Sequence, residues 1–553
     1  MNRHSAHTEP AGLAPGIRYL IALLLIPMLV AACGGSGGGD GTDESASREP
    51  AWVTILTRGP AAIYGARDDG GKNPVELSAG LDFSPASPFG YVSPDGRQIA
   101  MRAMAASDSV RQNYLRDTDG SNLRKISQLA NPAAVVLPAV WAPDSSALVY
   151  TADGDTADVF ELYRVDRDGA NHEKLNDPLN VNETLFGPIW SPDSRYIAFQ
   201  IRTIGGSFGK ALGIYDTRTG TQARVAVPQT IVPESVRWSP TSEKLAYLRY
   251  DNDSTGNKWE VYTLNADGSD HDGPFNGSLG SELYLADYKW SPNGRYLAQL
   301  FRRRAASLSG EHAIRFLNIY DLEASNPASA SKRVHDFRLY STTNSNDCRD
   351  YCGFEWSQAG TELIFLSDAD TGSFIEPWSY NVAGGTSREL NHGLPDPVNY
   401  DVSRILGTTA DDRYLLYQGG YPSNTTVLKE LIDFSAPGDP AIRIAGLGDL
   451  IRVTTWGPDH RRIFFARQNT AENFIETRRE KSFETGSNIL EPRLPAELVI
   501  NDIELSEDSE VAAFLVLDTI AGGYPGSIYS VPTSGGEAKK ISRSLDVERM
   551  LGY

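Results

Sequence analysis

The sequence is poor in the residues that most often carry chemistry. Of 553 residues, three are cysteine, five are methionine and eight are histidine. No histidine forms an H-x-x-x-H pair or an H-E-x-x-H motif, so the common zinc-site patterns are absent. A transmembrane helix needs roughly 20 apolar residues, and the N-terminal apolar run, Tyr19–Val30, has only 12. These absences argue against a polytopic membrane protein and predict no metal site.

Positive charge is also scarce. Lys and Arg number 51 against 71 Asp and Glu, which gives a net charge of −20. Such a surface repels phosphate backbones, so we expect no nucleic-acid partner. Hydrophobic residues make up 40% and charged residues 22%, as in a folded soluble body. With 51 Gly, 32 Pro, 25 Tyr and 19 Phe, the composition favours turns and strands over helices.

The N-terminus has the pattern of a targeting signal. Arg3 and Arg18 precede the apolar run, which ends in Leu-Val-Ala-Ala-Cys at Cys33. This ending resembles a bacterial lipobox, and the resemblance implies cleavage before Cys33 and lipid attachment to it. An ordinary secretory signal cleaved after Ala32 is the alternative. We therefore expect a signal peptide over residues 1–32.

Residues 33–50 form a Gly-rich segment that we expect to be a flexible tether. Gly34, rather than Asp, follows the cysteine, which by the same resemblance indicates the outer membrane. The predicted location is therefore the bacterial cell envelope, as an outer-membrane lipoprotein that faces the periplasm. Exposure at the cell surface is the alternative.

The two other cysteines are separated by three residues. Outside the cytoplasm Cys348 and Cys352 are free to oxidise, and we predict a small structural disulfide between them. A CxxxC pair without histidine partners is a poor metal site. A redox role is the alternative.

The rest of the chain is a repeat. A motif of the form Trp-Ser-Pro-Asp-Gly, followed by an apolar run, occurs nine times, with the proline position at residues 94, 143, 192, 240, 292, 358, 410, 458 and 507. Most steps are 48 to 52 residues, and one is 66. The motif residues to which we assign a structural role are Pro94, Asp95, Trp141, Pro143, Asp144, Trp190, Pro192, Asp193, Trp238, Pro240, Trp290, Pro292, Trp356, Trp456, Pro458 and Asp459.

One repeat has the pattern of a small antiparallel sheet. Pro fixes φ at the start of a turn, and Asp-Gly or Asn-Gly supplies the positive φ that a tight hairpin needs. The next strand is apolar at nearly every position, as in Tyr196–Phe199, which indicates burial on both faces. A sheet of four short strands must stack on its neighbours, and radial stacking gives a β-propeller.

The ends of the chain complement each other. Residues 52–78 look like a repeat that lacks its first strand, and residues 547–553 resemble that strand. We predict an all-β fold in which residues 51–553 form one large propeller of 8–10 four-stranded blades, with the N- and C-terminal strands closing the ring. Two smaller propellers are the alternative.

Spacing and motif resemble the repeats of TolB-like periplasmic propellers, and related repeats occur in the propeller domains of prolyl-oligopeptidase-type peptidases. The resemblance covers nearly the whole chain after the tether. It implies a role in assembly of the cell envelope. This chain departs from the TolB pattern, because it carries a lipobox, has more repeats and lacks a recognisable extra N-terminal domain.

Candidates for chemistry are few. Ser207 lies in a G-x-S-x-G string, but between two predicted strands rather than before a helix, so a hairpin loop is expected. The Asp-x-Asp strings at 117–119, 166–168, 251–253 and 368–370 are predicted turns, with structural calcium as the alternative. The basic cluster 302–304 is expected in a loop. Trp52, Trp259 and Trp378 are assigned to the core, with carbohydrate stacking as the alternative.

From these observations we predict a non-enzymatic binding module. Its expected partner is an envelope protein or a glycan, and it contacts the membrane through its lipid. We predict a monomer with no catalytic residues and no cofactor other than the lipid on Cys33. An enzyme acting on a glycan or a peptide is the alternative; it would need polar residues that converge at the central channel.

Overall fold

A computed structural model describes residues 50–552, except for 58–60, 85–89, 233–234, 254–255, 276–282, 304–312, 328–330, 340–353, 368–375, 391–400, 421–426, 434–441, 444–449, 469–471, 480–487, 496–497, 507, 509, 519–524, 535–537 and 544. All of these residues belong to one compact unit, Thr42–Tyr553. The described part is all-β and contains no helix. It accordingly holds no helix with the length and hydropathy needed to span a bilayer.

The strands group into sheets that we number as blades 1–10 in chain order. Blade 1 contains β1 (Trp52–Thr57), β2 (Ile63–Arg67) and β3 (Val75–Glu76), and blade 2 contains β4 (Gly90–Val92), β5 (Gln98–Ala103), β6 (Gln112–Asp117) and β7 (Arg124–Lys125). Blade 3 contains β8 (Val140–Trp141), β9 (Ala147–Ala152), β10 (Glu161–Asp166) and β11 (Glu173–Lys174), and blade 4 contains β12 (Glu183–Trp190), β13 (Tyr196–Thr203), β14 (Gly209–Asp216) and β15 (Thr221–Ile231). Blade 5 contains β16 (Arg237–Trp238), β17 (Lys244–Asp253) and β18 (Gly256–Asn265).

Blade 6 contains β19 (Leu283–Trp290), β20 (Tyr296–Arg303), β21 (Ala313–Asp321) and β22 (Ser331–Leu339), and blade 7 contains β23 (Phe354–Trp356), β24 (Glu362–Ser367), β25 (Glu376–Asn381) and β26 (Thr386–Glu389). Blade 8 contains β27 (Asp401–Thr408), β28 (Tyr414–Gly420), β29 (Val427–Asp433) and β30 (Ile442–Arg443), and blade 9 contains β31 (Leu450–Trp456), β32 (Arg462–Gln468), β33 (Glu472–Arg479) and β34 (Asn488–Pro495). Blade 10 contains β35 (Leu498–Leu505), β36 (Val511–Asp518), β37 (Gly526–Pro532) and β38 (Lys539–Lys540). A last strand, β39 (Val547–Gly552), completes blade 1.

Within a blade the strands pair antiparallel in chain order. Blade 5 departs from the predicted four strands, because an isolated bridge between Thr263 and Asp272 takes the place of its fourth strand. Its strand β17 also pairs with β15 of blade 4, at Thr230–Tyr250 and Ile231–Arg249, so these two blades form one continuous sheet. The other nine blades of the described chain have four strands each.

The ends of the chain close the ring, as the sequence predicts. Strand β39 pairs antiparallel with β1 in the order β3-β2-β1-β39, with Ile55 opposite Met550 and Leu56 opposite Arg549. Two register irregularities interrupt this pairing, between Thr54 and Ile55 and between Leu56 and Thr57. The first blade is therefore built from both ends of the chain.

Hydrophobic side chains join each blade to the next. Buried clusters span blades 1–2, 2–3, 3–4, 4–5, 5–6, 6–7, 8–9 and 9–10. Another cluster joins blade 10 to blade 1 through Leu515 and Ile528 on one side and Val53 and Val547 on the other. Strand β27 of blade 8 packs on β23–β25 of blade 7. Every blade thus packs on the next and the tenth packs on the first, which makes one closed propeller of ten blades.

The second strand of each blade carries most of this core. All six residues of β9 are buried, and Ile197–Ile201 of β13 are buried as well. A strand with neighbours on both faces needs apolar residues at successive positions, since neither face meets water. The uninterrupted apolar runs after the turn motif therefore mark the layer that stacks between blades.

The remaining sequence predictions have mixed outcomes. The basic cluster is not simply a loop, because Arg302 and Arg303 lie within β20. Arg302 pairs with both β19 and β21, and Arg303 pairs with β19, while Arg304 is outside the described residues. Trp378 is 9% exposed in the core between blades 6 and 7, and Trp259 packs at the core between blades 5 and 6. Cys33, Cys348 and Cys352 lie outside the described residues, so the lipid and the disulfide remain predictions.

Candidate functional site

The first strand of each blade lies innermost in the ring. Contacts join β8 to β12, β23 to β27, β31 to β35, β35 to β39 and β39 to β4. These are all innermost strands of consecutive blades, as expected for strands that line the axis of a radial array. The inner strands therefore surround the central channel.

The motif tryptophans fasten each inner strand to the preceding one. The Trp141 indole N–H donates to the Tyr91 carbonyl at 3.0 Å, and the Trp190 indole donates to the Val140 carbonyl at 3.2 Å. Trp238, Trp290, Trp356 and Trp456 make the corresponding bonds at 3.4, 3.3, 3.3 and 2.8 Å. The motif tryptophans thus act between blades rather than within one.

The motif turns also touch each other around the ring. The backbone N–H groups of Asp95, Asp144 and Asp193 donate to the hydroxyl oxygens of Ser145, Ser194 and Ser242 in the following blade, at 3.0, 2.9 and 3.0 Å. These three serines occupy the glycine position of the motif and have φ of 61°, 61° and 62°. Serine can replace glycine at this position because its hydroxyl oxygen accepts a hydrogen bond from the backbone N–H of the neighbouring turn.

Charged side chains stand one residue before the motif tryptophan in blades 5 to 7. Arg237 pairs with Asp287 of the next inner strand at 2.9 Å, and its guanidinium lies 4.5 Å above the Tyr288 ring. Lys289 pairs with Glu355 of the next blade and donates to the Phe354 carbonyl at 2.9 Å. In this part of the channel, cations and carboxylates neutralise each other across blade boundaries.

Blade 10 places two carboxylates on its inner strand, and the described side chains around them provide no such compensation. Asp502 and Glu504 are two residues apart on β35 and both are half-buried. Asp502 accepts a hydrogen bond from the Ile503 N–H at 3.0 Å. Burial raises the pKa of Glu504 to about 7, and the charge of Asp502 adds to the rise. Among the described residues neither carboxylate has an ion-pair partner.

Burial is also the main cause that raises the pKa of Asp502, against the opposing effect of the Ile503 N–H. Two adjacent carboxyls with raised pKa values at the axis can accept a cation, hold a proton near neutral pH, or exchange one with a bound molecule. We define Asp502 and Glu504 as the channel carboxylates and treat them as the candidate functional site.

The candidates taken from sequence patterns do not join this site. Ser207 lies between β13 and β14, in the hairpin loop that the sequence predicts. His271 stacks on Tyr247 in blade 5 and bonds its hydroxyl at 2.6 Å, while His460 stacks on Trp456 in blade 9. The two histidines therefore lie in different blades and do not form one site.

Two of the Asp-x-Asp strings are turns, as predicted. The prediction is wrong for residues 251–253, which belong to strand β17, and residues 368–370 lie outside the described residues. Asp119 accepts the Ser121 N–H at 2.8 Å and Asp168 accepts the Ala170 N–H at 2.8 Å, with Gly120 and Gly169 at positive φ. In the described part of the chain no three His, Cys, Asp or Glu side chains cluster as a metal site. The sequence motifs did not identify the channel carboxylates. The pattern that could have identified them is a pair of acidic residues at alternate positions just before the weak motif copy Leu505-Ser506.

Comparison with known proteins gives structural similarity only. No family model matches the chain, and no curated protein matches it. A crystal structure of the eukaryotic initiation factor is 13% identical, with 92% of this chain and 99% of that chain covered and a TM-score of 0.45. Dipeptidyl peptidase 4 of Porphyromonas gingivalis is 13% identical, with coverages of 78% and 64% and a TM-score of 0.44. Oligogalacturonate lyase in complex with manganese is 13% identical, with coverages of 69% and 96% and a TM-score of 0.32. The propeller assignment rests on this chain's own strand order and blade packing.

Proposed function

We propose that this chain is a lipid-anchored, TolB-like propeller of the bacterial cell envelope that binds a protein partner at the mouth of its channel. The observation that supports the proposal is the uncompensated charge of the channel carboxylates within a closed ring. In blades 5 to 7 the inner-strand charges are paired, whereas Asp502 and Glu504 have no ion-pair partner within the described part of the chain. Such a pair favours a partner that brings a Lys or Arg side chain.

The geometry of a propeller suits this role. A closed ring holds its inner strands in fixed positions, so a partner meets a preorganised surface and little ordering cost opposes binding. The lipid on Cys33 and the tether over residues 33–50 would keep this surface close to the membrane. The partner class is therefore an envelope protein with an exposed basic segment.

Crosslinking in living cells tests the proposal. Because β39 completes blade 1, the affinity tag is placed within residues 42–50 rather than at the C-terminus. We expect one envelope protein to be recovered with the wild type and to be lost with the double variant Asp502→Asn, Glu504→Gln. A Cys33→Ser variant should leave the membrane fraction and lose the same partner.

Three outcomes would contradict the proposal. Cys33→Ser protein that stays in the membrane fraction excludes the lipid anchor. A partner recovered equally with the double variant excludes the channel carboxylates as its contact. Recovery of no protein from wild-type cells excludes the protein-binding role.

A second candidate function is an enzyme that acts on a glycan or a peptide. The raised pKa of Glu504, about 7, supports it, because a general acid or base works best near the operating pH. The test incubates the protein with polysaccharides and peptides and follows new reducing ends, unsaturated products or free amines. An activity that titrates near pH 7 and disappears in Glu504→Gln would favour the enzyme over the binding module.

A further inference from the structure

Blades 6 and 10 share a local structure on their inner strands. Asp287 of β19 and Asp502 of β35 each lie three residues before the tryptophan position of the motif. Each follows a register irregularity in the pairing with the second strand, and each lies opposite a leucine, Leu300 or Leu515. Each aspartate also accepts a hydrogen bond from the N–H of the next residue, at 2.8 and 3.0 Å. The two aspartates are therefore structurally equivalent.

In blade 6 this aspartate binds an arginine from the preceding blade. Arg237 lies one residue before Trp238 of blade 5, and its Nη1 donates to Asp287 at 2.9 Å and to the Tyr288 carbonyl. The Arg237 side chain remains 32% exposed, so a side chain in this place is within reach of solvent. Blade 6 thus shows how an inner strand of this conformation holds a guanidinium group.

Blade 10 differs from blade 6 because of one residue in blade 9. Thr455 lies one residue before Trp456, at the position that corresponds to Arg237 in blade 5. A threonine carries no charge, and the Thr455 hydroxyl instead donates to the Trp456 carbonyl at 3.4 Å. Within the described part of the chain, blade 9 therefore gives Asp502 no counterpart of the Arg237 guanidinium.

The acceptors on blade 10 can be reached by a ligand. Asp502 and Glu504 are half-buried, and those of their carboxylate oxygens that accept no hydrogen bond retain accessible surface. Glu504 stands where blade 6 has Lys289, so blade 10 combines two carboxylates with the Ile503 carbonyl. A guanidinium group suits these acceptors, because it presents several N–H donors in a fixed plane and is more weakly hydrated than an ammonium group.

We propose that the boundary of blades 9 and 10 is an arginine-binding site, in which Asp502, Glu504 and the Ile503 carbonyl hold the guanidinium group of an arginine on the partner protein. The guanidinium takes the place that Arg237 fills between blades 5 and 6. This inference rests on the proposed function, since it names the side chain by which the channel carboxylates recognise the partner.

Peptide titration tests the site. The full chain in detergent is titrated with acetyl-Gly-Arg-Gly-amide and with matched peptides that carry lysine or citrulline, and binding is followed by saturation-transfer NMR and calorimetry. We expect the arginine peptide to bind with a Kd on the order of 1 mM or tighter. The lysine peptide should bind more weakly. Citrulline has a similar shape without the charge, so its peptide should bind at least about tenfold more weakly.

Substitutions separate this site from a general attraction of cations to an acidic protein. Thr455→Arg supplies a cation from blade 9, as Arg237 does from blade 5, and should weaken binding of the arginine peptide at least about tenfold. Val140→Arg is the matched control, because it adds the same charge at the same motif position in blade 3, where the side chain is 40% exposed and Gly187 stands in place of the aspartate. It should leave the Kd unchanged. Asp502→Asn removes an acceptor and should also weaken binding, which tests the site even if Thr455→Arg fails to fold.

Several results would overturn the inference. It is wrong if the arginine peptide does not bind, or if the lysine or citrulline peptide binds as tightly. It is equally wrong if neither Thr455→Arg nor Asp502→Asn weakens binding, or if Val140→Arg weakens it as much as Thr455→Arg does.

The crosslinking experiment keeps the two proposals apart. A partner that is lost with the double variant of the channel carboxylates but recovered with Thr455→Arg supports the proposed function and overturns the arginine site. Recovery of no partner from cells, together with peptide binding that Thr455→Arg abolishes, supports the arginine site and overturns the protein-binding role.

Discussion

The motif residues act mainly across blade boundaries. The motif indoles donate to carbonyls of the preceding inner strand, and the turn serines accept from the preceding turn. Each such bond is worth about 0.5–1.5 kcal/mol, and the repeat supplies several of each kind. In contrast, the recurring Arg195–Asp216 pair, at 2.7 Å, lies within blade 4. The motif therefore encodes stacking as much as hairpin formation.

At the scale of single residues, the raised pKa of Glu504 predicts that the stability of the protein depends on pH. Its pKa is raised to about 7 in the folded chain, against about 4.3 for a free glutamate. Between these values the folded state binds more protons than the unfolded state, so the free energy of unfolding falls as pH rises. We expect Glu504 to contribute a loss on the order of 1–3 kcal/mol in urea denaturation between pH 5 and pH 8. The lowered pKa values of His172 and His271, caused by burial, offset part of it, because their contribution to stability rises over the same range.

Glu504→Gln should remove most of this slope, because glutamine does not titrate. Glu548→Gln, at an exposed glutamate on β39, is the control and should keep the wild-type slope. A wild-type stability that rises from pH 5 to pH 8, with no difference between the two variants, would show that Glu504 ionises normally.

At the scale of elements, the closing strand β39 has the largest consequence. It joins a cluster with Val53, Ile55 and Val547 from both ends of the chain and Leu515 from blade 10. The local sequence of β39 does not distinguish it from other strands, because β39 is short and exposes Glu548 and Arg549. Its importance comes from its place beside β1, which otherwise would present an unpaired edge to the channel.

Removal of residues 546–553 should therefore destabilise the whole ring. It uncovers Val53 and Ile55, each worth about 1.5–3 kcal/mol when buried, and breaks the pairing with β1. We expect a loss on the order of 5 kcal/mol in urea denaturation.

A circular permutant provides the matched control. In it, residues 546–553 precede residue 50 through a short turn, so blade 1 has its four strands in chain order. This permutant should recover most of the lost stability. Equal stability of the wild type and the truncated chain would contradict closure by β39.

For the whole molecule, the dominant quantity is charge. With 51 basic and 71 acidic residues the chain carries −20, and its field favours approach of a basic partner, most strongly at low ionic strength. Exposed charges are screened beyond about 8 Å at physiological ionic strength. The association rate of the proposed partner should therefore depend on the salt concentration.

Surface plasmon resonance at 50 to 500 mM NaCl checks this expectation. The association rate should fall at least about tenfold over that range, while the dissociation rate changes less. The Asp502→Asn, Glu504→Gln variant should keep the salt dependence of association and dissociate faster, since it removes contacts but only two of the charges. A salt-independent association rate would contradict electrostatic steering.

The sequence by itself determined the repeat and hence the fold. The regular spacing of the Pro turn and the apolar strand after it predicts stacked four-stranded sheets, and the incomplete first unit predicts closure by residues 547–553. These features are visible because they are local patterns of strand and turn repeated along the chain. The ten observed blades lie at the upper end of the predicted range of 8–10.

Only the tertiary structure decided which residues meet between blades. The hydrogen bond from the Asp144 N–H to the Ser194 hydroxyl joins two blades, and the Arg237–Asp287 pair joins two others. Sequence spacing cannot reveal such pairs, because the contact is set by ring geometry rather than by chain proximity. For this reason the fold could be predicted from the sequence, whereas the channel carboxylates were recognised only in the folded ring.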